Sequence, residues 1–295
     1  MDKVTYDYYR IFYYVAKYKS LSMAAEMLRS NQPNITKFMN KLEEQLGCRL
    51  MNRSNKGIVL TPEGENLFQH VSVAYSSLKE AETELTNSVK LTAGTVRISA
   101  TETALHGILL DALAKFRKKY PGIRLLITND STPEAIRSLR KGMTDLAIVT
   151  SPTEIFSDIH QTELMEFEEI LVANADSSLC SRDILTPAEL QAIPIVGLGS
   201  HTKTYEYYSK LFINYGMEWN PDIDVATADQ ILPMIKADLG IGFVPFFMAK
   251  QDLSQGLLKI VRVLEISPVR KILLLDDKSS LPNNAVKEFK KMLLD

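Results

Sequence analysis

A run of residues from 31 to 41 combines groups that can hydrogen-bond to the edges of nucleic-acid bases with cations. Ile35, Met39 and Leu42 recur at helical spacing and predict the buried side of a helix. Amide and hydroxyl groups near a helix N-terminus, with cations toward the phosphates, suit a recognition helix in a major groove. The alternative is a polar face that is only solvated. The opposite face carries Gln32, Asn34, Thr36, Lys37, Asn40 and Lys41, with no carboxylate before Glu43.

Two further short helices are predicted to position this face. The first has one apolar stripe, and Ser20 or Ser22 can cap the second. Ala24 and Ala25 are small, which lets another helix cross closely above them. Asn31 and Pro33 suit the start of the third helix. The apolar faces of the first two helices are Tyr9, Phe12, Val15 and Ala16, followed by Leu21, Ala24, Ala25 and Leu28.

A basic hairpin follows the three helices. Residues 53–60 read as two short extended arms around a turn, so Arg53, Asn55 and Lys56 are expected to lie along the backbone or the minor groove of DNA. The full set of predicted DNA-contacting residues is Ser22, Asn31, Gln32, Pro33, Asn34, Thr36, Lys37, Asn40, Lys41, Arg53, Asn55 and Lys56.

A long helix is predicted from Thr61, where a capping hydroxyl, Pro62 and Glu63 form a helix start. Six apolar residues then follow in steps of four and three, which is the seam of two helices packed closely together. The stripe therefore favours dimerisation; the alternative is packing on the chain's own globular domain. The seam comprises Leu67, Val71, Ala74, Leu78, Ala81 and Leu85.

Residues 90–94 interrupt the helical period, and beyond them short β-rich runs alternate with helical segments. Such alternation predicts βαβ units and twisted parallel sheets. The predicted helices include 109–120, 133–141, 205–215 and 228–237. The predicted strands are 95–100, 124–128, 146–150, 169–172, 193–198, 223–225, 242–245 and 271–275.

Small polar residues follow five of these strands, where ligands collect in α/β sheets and helix N-termini point. Each residue alone is also a good helix cap, which is the alternative for any one of them. Together they predict a shared polar cleft that favours a small organic anion, although Glu102 opposes a highly charged one. The predicted cleft residues are Thr101, Glu102, Thr103, Asn129, Ser131, Thr150, Ser151, Ser200, His201, Thr202 and Thr227.

The charge is divided unevenly along the chain. The 295 residues carry 34 basic and 36 acidic side chains, a net charge of −2. Ten basic and five acidic side chains in residues 1–60 give that segment +5, whereas residues 61–90 carry −3 and the remainder −4. This asymmetry indicates a basic module attached to an acidic one.

Several classes of protein are disfavoured. No apolar stretch is long enough to span a bilayer and no secretory leader is visible, so a cytoplasmic protein is expected. Cys48 and Cys180 lack metal-ligand spacing, and no pair of histidines has it either. Nucleophile elbows and phosphate loops are also missing, so neither an enzyme nor a bound metal or cofactor is expected. An enzyme or a simple solute-binding module with an accessory helical domain is the alternative.

Residues 20–64 resemble the winged helix-turn-helix of LysR-type transcriptional regulators. The similarity rests on Ser20 through Lys37, on Leu42-Glu43, Leu46-Gly47, Leu50 and Arg53, and on Leu60 through Gly64. The family usually has serine at Asn31 and Thr36, a small residue at Asn34 and phenylalanine at Met51. The resemblance continues through Phe116, Tyr120-Pro121, Leu139, Gly142, Asp145-Leu146-Ala147 and Gly240 through Pro245.

The resemblance implies an α/β protein in three parts: a winged helix-turn-helix at 1–60, a dimerising linker helix at 61–90, and an effector-binding domain at 91–295. The last part would be two α/β lobes like those of periplasmic binding proteins. Lobe I would span 91–162 and 267–295 and lobe II 163–266, with crossings near 161–165 and 264–268. The implied partners are double-stranded DNA, a small-molecule effector, RNA polymerase, and a second copy of the chain in a homodimer or homotetramer.

Overall fold

The protein, described here by a computed structural model, forms two compact units, Met1–Val89 and Lys90–Asp295. The structure describes residues 4–54, 57–86, 94–178, 184–264, 266, 268–280 and 282–294. At residues 53–54, 80 and 83–86 only the backbone is described.

The first unit is a helical core with a β-hairpin. Phe12, Val15, Ala24, Met39 and Leu42 are fully or almost fully buried, so the apolar faces predicted for its three short helices meet in one core. The elements are α1 (Tyr6–Tyr18), α2 (Leu21–Met27), α3 (Gln32–Leu46), β1 (Met51–Ser54), β2 (Gly57–Leu60) and α4 (Pro62–Thr86), with β1 and β2 antiparallel.

Side-chain caps fix where the second and third helices begin. Ser20, rather than Ser22, caps α2, since its Oγ accepts the Met23 N–H at 3.3 Å. Asn31 caps α3 through the Asn34 N–H at 2.9 Å, and Pro33 lies in the first turn, where a missing N–H costs little. The cap before α3 therefore sets the point at which the polar face starts.

The start of α4 is fastened to the chain that enters the hairpin. The Thr61 Oγ accepts the Gly64 N–H at 3.0 Å and donates to the Arg49 carbonyl at 2.7 Å. A Cβ at Gly64 would lie 1.9 Å from the Leu50 carbonyl oxygen, so no larger residue fits. Glycine is required here by close backbone approach.

A mixed sheet runs through the second unit. Eight strands lie in the order β4-β3-β5-β12-β6-β11-β7, with β10 also paired to β6, and β8 pairs with β9 in a separate ribbon. The strands are β3 (Gly94–Ala100), β4 (Ile123–Asn129), β5 (Leu146–Thr150), β6 (Ile159–Asn174), β7 (Ile184–Leu185), β8 (Val196–Leu198), β9 (Ile223–Val225), β10 (Gly242–Pro245), β11 (Leu258–Val263) and β12 (Val269–Asp277).

Helices cover this sheet. A π-helical turn (Leu105–Leu109) joins the helix that ends at Ala104 to the one that begins at Leu110. A 3-10 turn (Ala228–Gln230) precedes the helix that begins at Ile231. The helices are α5 (Glu102–Ala104), α6 (Leu110–Lys119), α7 (Thr132–Arg140), α8 (Pro187–Leu190), α9 (Lys203–Ile213), α10 (Ile231–Lys236), α11 (Phe246–Ser254) and α12 (Asn284–Leu294).

The chain forms two lobes joined by β6 and β12. Lobe I contains β3–β5 with α5–α7 and α12, and lobe II contains β7–β11 with α8–α11. Separate apolar cores fill them, one around Phe116 and Phe289, the other around Tyr208, Phe212 and Trp219. Among the described residues, no helix is long and apolar enough to cross a membrane.

The expected parallel pairing accounts for only part of the sheet. β3, β4 and β5 are parallel, but β12 runs antiparallel to both β5 and β6. The strand expected at 169–172 is part of the sixteen-residue β6, whose first half alternates exposed and covered side chains instead of forming an apolar run. β11 and the helices α11 and α12 were not predicted.

The crossing between lobes also lies later than expected. Residues 159–168 of β6 pair with β12, and pairing passes to β10 and β11 from Glu169 onward. The predicted crossing at 161–165 is therefore still paired within the β6–β12 ladder. Polar residues interspersed along the first half of β6 hide its part of this ladder from a reading of apolar runs.

Gly64→Ala tests the fastening of α4. The added methyl group must displace the Leu50 backbone, so the free energy of unfolding of the first unit should fall by about 1–3 kcal/mol, the usual cost of overpacking. Urea unfolding followed by circular dichroism measures the change. Asn66→Ala, at an exposed position of the same helix, is the control. If the two variants are equally stable, the close approach of Gly64 to the Leu50 backbone does not require glycine.

Candidate nucleic-acid interface and ligand cleft

The outer face of α3 is presented as the sequence predicts. Gln32, Pro33, Asn34, Lys37 and their neighbours Asn40 and Lys41 are exposed, and Thr36 is half-buried. Ile35, Met39 and Leu42 face the core. The hydrogen-bonding groups therefore stand on one side of a rigid helix, which is the arrangement that a major groove can accept.

Two predicted residues already serve the helix. The Ser22 hydroxyl donates to Gln32 Oε1 at 3.2 Å and so restrains the side chain of Gln32 from the neighbouring helix. Asn31 uses its Oδ1 for the cap described above. These contacts orient the N-terminal end of α3 before any nucleic acid is bound.

Glu43 plays a part that the sequence does not reveal. Its carboxylate accepts the backbone N–H groups of Leu50 (2.7 Å) and Met51 (3.2 Å), which begin the hairpin. The carboxylate nearest to the polar face thus fixes α3 to the hairpin of β1 and β2, which is the wing of the predicted motif. A glutamate seven residues before an extended arm is a weak signal, so sequence reading alone missed this contact.

The second strand of the wing, β2, is held by the turn after α1. The Ile58 N–H donates to the Lys19 carbonyl at 3.1 Å, and Lys19 adopts a left-handed conformation with φ of 49° in the turn after α1. Asn55 and Lys56 lie outside the described residues, as does the Arg53 side chain. Their contacts with DNA stay predictions.

The apolar stripe of α4 divides into two parts. Val71 is only 8% exposed and belongs to the core of its own unit, and Leu67 packs against the same core. The prediction that these two residues lie in a dimer seam is therefore wrong. This part of α4 packs along α1, and the ring centroids of Tyr75 and Tyr13 are 4.4 Å apart. The remaining seam residues are different: Ala74, Leu78 and Ala81 are exposed, and the Leu85 side chain is outside the described part.

The strand ends of lobe I do meet. Ala100 pairs with both Asn129 and Ile148, so the residues that follow β3, β4 and β5 share one edge of the sheet. The Glu102 carboxylate accepts a hydrogen bond from Asn129 Nδ2 at 2.8 Å and lies 3.0 Å from His106 Nε2. A carboxylate therefore stands at this edge beside the polar strand ends.

Two strand ends of lobe II also lie together. Leu198 pairs with Val225, and the Gly199 N–H donates to the Val225 carbonyl at 3.2 Å. Ser200 and His201 are exposed in the turn that follows β8. Thr227 begins the 3-10 turn after β9. The predicted residues of each lobe thus form one cluster.

Side chains also link the lobes to each other. Lys203 Nζ of lobe II lies 3.4 Å from Glu154 Oε1 of lobe I. Hydrogen bonds from Ser131 hold the pKa of the Glu134 carboxyl below its usual range, and the charge of Arg137 adds to this effect. α5, which follows β3 in lobe I, also contacts the 3-10 turn that follows β9 in lobe II, so the two clusters of strand-end residues lie close to each other.

Several predicted cleft hydroxyls have structural tasks instead. Thr202 is buried, caps α9 through the Tyr205 N–H, and donates to the Gly199 carbonyl at 2.8 Å. Ser131 forms a capping box with Glu134, and Thr101 caps α5. Thr103 is buried as well. For these four residues the helix-capping or packing alternative describes the contacts made.

Thr150 and Ser151 are engaged by an arginine that sequence reading missed. Arg270 donates from Nη2 to Thr150 Oγ1 at 3.0 Å, and from Nε and Nη2 to the Ser151 carbonyl at 2.8 and 2.6 Å. Thr150 is 3% exposed, so its assignment to a ligand-binding surface is corrected. The Ser151 hydroxyl accepts the Lys271 N–H at 2.9 Å.

Arg270 belongs to a buried cluster at the junction of the lobes, here called the Arg270 cluster: Arg270, Glu169, Tyr208, Thr150 and Ser151. Arg270 Nη1 donates to Glu169 Oε1 at 2.9 Å, and the two residues are 2% and 6% exposed. The Tyr208 hydroxyl donates to Glu169 Oε2. The available sequence signal was a charged residue close to the start of each apolar run. Glu169 directly precedes the run 170–173, and Arg270 lies two residues before the run 272–275.

Burial sets the protonation of this cluster. Loss of solvation raises the pKa of the Tyr208 hydroxyl well above its usual value, and the negative charge of Glu169 raises it further. Tyr208 therefore keeps its proton and acts as the donor. The neighbouring Tyr207, whose ring lies 5.3 Å from the Arg270 guanidinium carbon, also has a raised pKa because of burial.

Within the described residues, no group of three histidine, cysteine, aspartate or glutamate side chains could hold a metal ion. Cys180 lies outside those residues.

Comparison with known families identifies both parts of the chain. Residues 90–295 match the LysR substrate binding domain, and residues 6–65 match the bacterial regulatory helix-turn-helix protein of the lysR family. The chain belongs to the LysR family of transcriptional regulators. Helices α1 to α3 and the hairpin thus lie within a LysR-type helix-turn-helix domain, and the enzyme alternative is wrong, since the family and its homologues are regulators.

Individual regulators resemble most or all of the chain at low identity. HTH-type transcriptional regulator YofA of Bacillus subtilis is 27% identical over 236 residues, covering 80% of this chain and 79% of YofA. Full-length CbnR in complex with its target DNA superposes with a TM-score of 0.74 at 18% identity, over 98% of this chain and 99% of CbnR. A full-length OxyR variant from Pseudomonas aeruginosa superposes with a TM-score of 0.69 at 18% identity, over 100% of this chain and 95% of the OxyR chain. These structures share the fold.

Proposed function

We propose that this LysR-type regulator binds operator DNA as a homodimer or homotetramer and that a small metabolite in the cleft of residues 91–295 modulates operator binding or promoter activation. Residues 1–60 read the DNA, residues 61–90 form the dimerising linker, and RNA polymerase is the further partner at target promoters. The observation that carries the proposal is the exposed polar face of α3, which is oriented by Ser22 and joined to the wing by Glu43.

The DNA-reading residues divide by chemistry. Gln32, Asn34 and Thr36 carry hydrogen-bonding groups that can distinguish bases, whereas Lys37 and Lys41 suit phosphates. The DNA complex of CbnR, a protein of the same fold, supports this use of the first unit. Two copies would place two recognition helices on half-sites about one turn of DNA apart.

The dimer is supported by the exposed part of α4. Leu78 is 48% exposed, and Ala74 and Ala81 are exposed at the same helical spacing. An exposed leucine between two small residues suits the close approach of a second helix. The proposed seam therefore begins after Val71, the last described residue of α4 in the apolar core of its own unit.

The cleft supports binding of a small polar molecule. Ser200 and His201 are exposed on lobe II, while Asn129 and Glu102 occupy the facing edge of lobe I. The start of α9 favours the organic anion expected from the sequence, and the Glu102 carboxylate opposes it. The class of effector stays a prediction.

Base reading by α3 is tested with two substitutions and DNA selected by the wild-type protein from a random pool. Gln32→Ala should weaken binding to the selected sequence by about 1–3 kcal/mol and leave binding to random DNA nearly unchanged. Lys37→Ala should weaken both and reduce the salt slope by about one, because one phosphate contact is lost. Fluorescence anisotropy at several salt concentrations measures both.

Gln45→Ala, at the exposed far end of α3, and Lys291→Ala, on α12, are the matched controls and should behave as wild type. Equal loss on selected and random DNA for Gln32→Ala contradicts its role in base reading.

The seam is tested by Leu78→Asp. A carboxylate buried between two linker helices lacks a partner, so the variant should be monomeric by light scattering and should bind the selected DNA more weakly. Ser77→Asp adds the same charge one residue away, off the seam, and should leave the oligomer intact. If the Leu78→Asp protein remains dimeric, this face of α4 is not part of the dimer interface.

Effector binding is tested by a thermal-shift screen of metabolites on the full-length protein. A ligand present at 100 times its Kd should stabilise the protein by about 2.7 kcal/mol and raise the melting temperature. A true effector should also change binding of the selected DNA. A screen that covers anionic, cationic and neutral metabolites and yields no shift counts against regulation through the cleft.

A further inference from the structure

The Arg270 cluster lies where the chain passes between the lobes. Val269 of β12 pairs with Glu168 of β6, and the Glu169 N–H donates to the Pro268 carbonyl at 2.9 Å. Glu169 and Arg270 are therefore neighbours on the two connecting strands. Their ion pair spans these strands at the place where a change in the angle between lobes must bend the chain.

The cluster is attached to both lobes. On one side, Arg270 holds the end of β5 through Thr150 Oγ1 and the Ser151 carbonyl. On the other, Glu169 accepts a hydrogen bond from Tyr208 of α9. An unbroken chain of hydrogen bonds thus runs from a strand end of lobe I, through both connecting strands, to a helix of lobe II.

The position of Tyr208 is fixed by lobe II. Its ring stacks on the rings of Trp219 and Phe243 within the apolar core of that lobe, with ring centroids 4.7 and 4.9 Å apart. Tyr208 lies six residues beyond the Thr202 cap, about 9 Å along the axis of α9. The turn that carries Ser200 and His201 is therefore joined by a rigid helix to the Tyr208 hydroxyl.

We propose that the hydrogen bond from Tyr208 to the Glu169–Arg270 pair is a latch that holds the two lobes at one angle. Movement of α9 relative to β5 has to stretch or break a link in the chain Tyr208–Glu169–Arg270–Thr150, because Tyr208 is anchored in lobe II and Thr150 in lobe I. The use of the latch in regulation rests on the proposed function: a ligand at the start of α9 would act on the lobe angle through Tyr208. The latch itself is a property of the fold.

The latch is tested with Tyr208→Phe, which removes one hydroxyl and keeps the ring and the Glu169–Arg270 pair. Spin labels at Arg137→Cys of lobe I and Lys210→Cys of lobe II, both exposed, report the distance between lobes. Cys48→Ser and Cys180→Ser remove competing thiols. Labelled full-length chains diluted with unlabelled protein give distances within one chain by pulsed electron resonance.

The matched control is Tyr205→Phe on the same helix. The Tyr205 hydroxyl donates to the Trp219 carbonyl at 3.1 Å, a contact wholly inside lobe II. We expect Tyr208→Phe to broaden the distance distribution and add a longer distance, while Tyr205→Phe keeps the wild-type distribution. Identical distributions for the two variants, or equal broadening in both, would overturn the latch.

A second variant covers loss of folding in lobe II. If the melting temperature shows that Tyr208→Phe unfolds, Arg270→Lys is measured instead, since lysine keeps the charge opposite Glu169 but cannot reproduce the paired bonds to Ser151. It should also add a longer distance, and an unchanged distribution overturns the proposal. These distances are measured without effector, so they stand apart from the thermal-shift screen that tests the proposed function.

Discussion

A charge buried in a protein interior is costly unless an opposite charge and hydrogen bonds compensate it, and the Glu169–Arg270 pair meets both conditions. Arg270 donates to Glu169, to Thr150 and to the Ser151 carbonyl, and the Tyr208 hydroxyl donates to the second oxygen of the Glu169 carboxylate. Because these partners come from two lobes and two connecting strands, the pair is satisfied only when all four elements are in place. The pair therefore couples the positions of both lobes to those of the two connecting strands.

The same constraint changes the reading of the cleft. Hydroxyls at strand ends suggest ligand contacts, but Thr150 is used by Arg270, and Thr202 and Ser131 are used by the helices they begin. A hydroxyl that caps a helix or satisfies a buried cation stabilises the walls of a cleft. The groups that remain exposed, such as Ser200, His201 and Asn129, are fewer than the pattern suggests, and Glu102 adds a negative charge beside them.

In the first unit, backbone groups rather than buried charges set the geometry. Glu43 joins α3 to the hairpin, the Lys19 carbonyl holds the second strand of the wing, and Gly64 allows α4 to start against Leu50. These contacts make α3 and the wing one rigid surface with a basic excess. The near-neutral charge of the whole chain says little about this surface, since the +5 of residues 1–60 is offset by acidic residues elsewhere.

The sequence by itself determined the helix-turn-helix, its polar face, the long α4 and most strands of the lobes, because each depends on local periodicity, capping and turn chemistry. Tertiary structure decided what each exposed or buried group contacts. Val71 lies in the core while Leu78, one heptad later, is exposed, although the two occupy equivalent places in the repeat. Arg270 and Glu169, about a hundred residues apart in the chain, become partners only when β6 and β12 pair, and no local pattern encodes that meeting.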